Sequence, residues 1–62
     1  MKKIELYTLR QTMNSLLVSA RKFNLYVCSP TYEKNPDIDR AKKEIENIKN
    51  YILQIEERIN NL

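Results

Sequence analysis

An all-α fold, an antiparallel two-helix hairpin with heptad packing, is what this chain predicts, and three observations predict it. From Ile38 to Leu62 an apolar residue recurs at every third then fourth position: Ile38, Ala41, Ile45, Ile48, Ile52, Ile55, Ile59 and Leu62. Leu6, Leu9, Met13, Leu16, Ala20, Phe23 and Val27 repeat that spacing in the first half. Such a 3-4 spacing draws one stripe along a helix, and two such stripes predict one seam. Between them lie both prolines of the chain, Pro30 and Pro36, where neither helix can continue.

Helix one is expected over about residues 2–26, rich in Leu, Arg, Lys, Ala and Met and free of proline. The β-branched and aromatic cluster Leu25-Tyr26-Val27 weakens it, and Ser29 before Pro30 is pushed out of the α region. A loop over about 27–35 follows. Helix two is expected over about 36–60, with Asn35 as N-cap, Pro36 at the first helical position, and Asp37 and Asp39 beside the positive end of the helix dipole. Leu17 and Tyr51 flank the seam and are expected to widen it.

With 62 residues the chain has room for one small domain. A domain this size buries only about 60% of the surface its unfolded chain exposes, so a homodimeric four-helix bundle is a natural extension. Five basic residues against Glu5 make residues 1–27 net basic, and five basic against six acidic make residues 36–62 slightly acidic. No dense basic run interleaved with aromatics argues for nucleic acid. No apolar run approaches the roughly 20 residues of a membrane span or the core of a signal peptide, so a cytoplasmic location is expected.

The absence of glycine removes phosphate-cradling Gly-rich loops, and the absence of histidine removes most metal and nucleophile-activating chemistry. No metal site and no cofactor of the chain's own is expected. Cys28 is read as a half-buried, inert thiol. Glu44 and Glu46 point about 200° apart on a helix and cannot work as a paired acid and base. Lys43, Glu46, Asn50, Leu53 and Glu57 follow 3-4 spacing on the side of helix two away from the seam. On helix one Ile4, Gln11, Val18 and Leu25 face outward, and three of the four are apolar. That leaves a surface able to meet another protein.

Leu6-Tyr7-Thr8-Leu9-Arg10-Gln11-Thr12-Met13, Pro36-Asp37-Ile38 and Lys42-Lys43-Glu44-Ile45-Glu46 followed by Ile48 are spread over about two-thirds of the chain, from Leu6 to Ile48. In these segments the chain resembles the stage-zero sporulation protein E–like aspartyl-phosphate phosphatases, which are two-helix hairpins. Their first helix carries an Ile-x-x-Leu-Arg-x-x-Met-like pattern, and their second opens on Pro-Asp/Glu-Val before the signature Ser-Gln-Glu-Leu-Asp. Glu44 is identical to that signature, Ile45 and Glu46 are conservative, and Lys42 and Lys43 stand in place of Ser and Gln. The resemblance implies dephosphorylation of a response regulator of the sporulation phosphorelay, and so negative regulation of sporulation. Glu46, Lys43 and Glu44 are then the catalytic candidates, and Lys42, Asn50, Leu53 and Arg10 the partner-binding ones. Mg²⁺ would belong to the partner regulator. The alternative is a non-catalytic helical-hairpin interaction module: an adaptor, chaperone or subunit.

Overall fold

The computed structural model describes residues 2–61. Two long helices, α1 (Lys3–Val27) and α3 (Ile38–Asn60), are joined through a short helix α2 (Pro30–Lys34). α1 packs along α3. The direction is antiparallel: Arg58 late in α3 bonds Thr12 early in α1, while Tyr26 at the end of α1 meets Asp37 and Arg40 at the start of α3. The Cα trace measures 48 × 15 × 9 Å, a rod two helices wide.

The ends follow from local chemistry. At the start of α1, the Lys2 backbone N–H donates to Glu5 at 3.3 Å, so a carboxylate sits at the positive end of the helix. The connector differs from the expected loop. Ser29 is an N-cap, its Oγ accepting from the Tyr32 N–H at 3.2 Å, and Pro30 occupies the first helical position. That helix is halted after five residues because Asn35 precedes Pro36 and leaves the helical region (φ −149°, ψ 77°). Asn35 therefore closes α2 and does not cap the following helix. That cap is Asp37, whose Oδ1 accepts from the Arg40 N–H at 3.1 Å, and α3 begins at Ile38.

Tyr26 ties the turn together. Its hydroxyl accepts from the Asp37 N–H at 3.2 Å, its ring packs edge-on to Tyr32 with centroids 5.2 Å apart, and the Arg40 guanidinium lies 4.0 Å over its face. Cys28, beside it, is exposed rather than half-buried, its Sγ 3.6 Å from the Asn24 side-chain oxygen.

The seam is rotated from the one the apolar stripe predicts. Its central rows are as expected: Leu9, Leu16 and Phe23 of α1 and Ala41, Ile48 and Ile55 of α3 are buried or half-buried. On one flank of that line the hairpin turns polar. Thr12, Ser15, Ser19 and Tyr26 of α1, with Glu44, Tyr51 and Arg58 of α3, are all buried or half-buried. On the other flank the expected seam residues Ile38, Ile45, Ile52 and Ile59 stay 51, 40, 42 and 53% exposed, and Met13 and Val27 are exposed too. Leu17 does not widen the core but stands in solvent, whereas Tyr51 does flank the seam. Leu62, the last residue of the stripe, lies outside the described residues. Among the described residues only Ala41 and Thr12 are buried. The reason is polar satisfaction. Thr12 Oγ1 donates to the Thr8 carbonyl and accepts from Arg58, so the polar flank can close without stranding a donor.

Candidate functional site

Lys43, Glu46 and Asn50 project from α3 on the side opposite α1, and all three are exposed. With Lys42 and Asn47 they line one shallow, open depression, and Leu53 stands exposed a turn further on. A straight α3 carries these residues because it is free of proline and begins from a firm cap, so their spacing is rigid. Glu44 does not join them. It is half-buried on the polar flank of the seam, pointing away from Lys43 and Glu46. Arg10 is also separate: it lies on α1 with Lys3, Leu6 and Tyr7, about 20 Å along the hairpin from the level of Lys43 at 1.5 Å per residue. The motif candidates therefore divide into an outward group, a seam residue and a remote arginine.

The outward group is a polar surface around that shallow depression, open to solvent. A lysine ammonium can donate to an anion and a glutamate can accept a proton, yet nothing encloses them. Among the described residues no cluster of three or more His, Cys, Asp or Glu side chains is placed to hold a metal. No described helix is long and apolar enough to cross a membrane.

A second surface runs along one side of the seam. Ile38, Ile45, Ile52 and Ile59 recur every seven residues and form a straight row along α3. Leu6, Met13, Ala20 and Val27 form the matching row along α1, Met13 and Val27 exposed and Leu6 and Ala20 half-buried as expected of seam residues. Positive rotation from the seam carries both rows to the same side of an antiparallel pair. The cross-helix contacts of Thr12 with Arg58 and of Tyr26 with Asp37 and Arg40 bring Met13 to about the level of Ile52 and Ala20 to about that of Ile45, within roughly a helical turn. The result is a continuous apolar face, bordered on α1 by Lys3, Arg10, exposed Leu17 and Asn24, and on α3 by Lys42, Lys49 and Glu56. The seven-residue isoleucine period was the available signal, but it was absorbed into the seam.

The described residues form an antiparallel helical hairpin with an unpartnered apolar row along one side of its seam, while Ile4, Val18 and Leu25 stand outward on α1 as expected, 71, 68 and 63% exposed. No family model, curated protein or solved structure matches the chain.

Proposed function

We propose that the chain is a protein-interaction module, a helical hairpin whose apolar face is covered by further helices, a homodimeric four-helix bundle being its self-associated form. One observation carries this reading: the isoleucines that should close a hairpin seam are left 40–53% exposed in a row along one side of it. Such a face, several residues long on both helices and rimmed by charge, has the composition of an association surface. The test contrasts two surfaces. Ile45→Asp or Ile52→Asp should abolish association measured by sedimentation, while Val18→Asp, at a more exposed outer position, should not. Equal behaviour of the two classes would overturn the reading.

A second reading has its own observation, the outward grouping of Lys43, Glu46 and Asn50 on a rigid helix. As a phosphatase of a phosphorylated response regulator, the hairpin would dock this face on the regulator, which supplies the acyl phosphate and Mg²⁺. A helper of this kind needs only to orient a water for in-line attack. Glu46 can accept a proton from that water, whereas Lys43 can only donate and is suited to the phosphate oxygens. Glu44, half-buried, would support the helix rather than touch the phosphate. The assay is incubation with a radiolabelled phosphorylated regulator and Mg²⁺. Phosphate loss should be accelerated by the wild type and reduced to the spontaneous rate by Glu46→Ala. Equal loss with both proteins would exclude this activity.

A further inference from the structure

We infer that the occupant of the apolar face is a second copy of this chain, with α1 of each copy lying antiparallel on α3 of the other. The inference rests on the reading of that face as an association surface, and adds the occupant and its arrangement.

The hairpin exposes 5243 Å². That is on the order of 1,000 Å² more than the roughly 4,200 Å² of a compact monomer of this mass, an excess that its 48 × 15 × 9 Å shape spreads over all sides. Covering roughly 800 Å² per partner, a standard interface, would remove most of it. A flat face two helices wide is covered in full by another face of the same shape. A two-fold axis makes such a face complementary to itself.

Charge at the rim selects between the two ways of stacking the copies. With the axis along the helices, α1 of one copy covers α3 of the other, and the register brings Arg10 level with Glu56 of the second copy. Symmetry repeats the pair on the opposite edge. Leu17 then meets the stem of Lys49, and Asn24 meets Lys42. The net-basic first helix also lies on the slightly acidic second one. With the axis across the helices, α3 covers α3. At full overlap its midpoint residue, Lys49, is then stacked on its own symmetry mate. Like charges opposed at a close interface disfavour that arrangement. In the first arrangement Lys43, Glu46 and Asn50 remain in solvent on both copies.

Sedimentation equilibrium at low salt tests this with the full chain and three variants. The wild type should sediment at twice its 7.4 kDa chain mass. Arg10→Glu and Glu56→Arg, both at exposed positions, should each weaken dimerisation by about tenfold, since two rim pairs are reversed at once. The double variant Arg10→Glu/Glu56→Arg should recover wild-type affinity. A dimer whose single variants are not rescued by the double would overturn the arrangement. A monomer at several hundred micromolar would overturn the second copy as occupant. The first result leaves the contrast between Ile45 and Val18, and with it the association surface, standing; the second removes the self-association on which that contrast is read and so overturns the association reading as well.

Discussion

Arg58 Nε donates to Thr12 Oγ1 at 3.0 Å across 46 residues of chain, and Thr12 is 7% exposed. This bond joins the far end of α3 to the first half of α1 and holds the polar side of the hairpin closed. The arginine's aliphatic stem covers apolar surface while its head finds an acceptor. Thr12→Val should leave the Nε donor without that acceptor at nearly unchanged volume. The expected loss is about 1–2 kcal/mol by thermal unfolding. Arg58→Ala with Thr12→Val should cost less than the two separate losses added together, because the two share one bond.

Tyr26 unites three contacts at the turn, and they can be separated. Tyr26→Phe removes only the hydroxyl that accepts from Asp37, for an expected cost of about 0.5–1.5 kcal/mol. Tyr26→Ala also removes the ring beneath Arg40 and beside Tyr32. Its loss should be clearly larger, about 3 kcal/mol or more in urea unfolding.

The cap assignment gives opposite expectations for two neighbours. Asp37→Ala should lower stability by about 1 kcal/mol, since its carboxylate satisfies the Arg40 N–H. Asn35→Ala should change it by less than about 0.5 kcal/mol, because Asn35 contributes only its backbone N–H to the Thr31 carbonyl. Helical content followed by circular dichroism on heating would show the difference.

Lys43→Ala and Glu46→Ala alter exposed positions on α3 and should leave the unfolding midpoint within the range of ordinary surface changes, about ±0.5 kcal/mol. Glu44→Ala, at the seam, should shift it more. Any loss of function in the outward variants could then be assigned to contact with a partner.

The helices were legible because eight residues of one half and seven of the other keep an unbroken 3-4 spacing. The antiparallel pairing followed from the short connector. The rotation of the seam was not legible. Ala41, Ile48 and Ile55 belong to any seam that the stripe allows, but the flanking row can be either Ile45 and Ile52 or Glu44, Tyr51 and Arg58. Counting apolar residues favours the first. Long amphipathic side chains with a hydroxyl waiting opposite allow the second, and that choice depends on Thr12, 46 residues away from Arg58. The turn was misread for a related reason. Ser29-Pro30 and Asn35-Pro36 are equally good helix starts by local chemistry, and only the spacing between the prolines reveals that the first start is cut off at once. Of the candidate site, the outward direction of Lys43, Glu46 and Asn50 was readable from their distance to the central row. The position of Glu44 was not, because it changed with the rotation.

If the isoleucine row is an association surface, the stability of the hairpin depends on its being covered. The most direct measurement is the thermal unfolding midpoint, followed by circular dichroism over a hundredfold range of chain concentration. Association coupled to folding makes the midpoint rise with concentration, and Ile52→Asp should lower it and flatten that rise. A midpoint independent of concentration, and unmoved by Ile52→Asp, would contradict the claim.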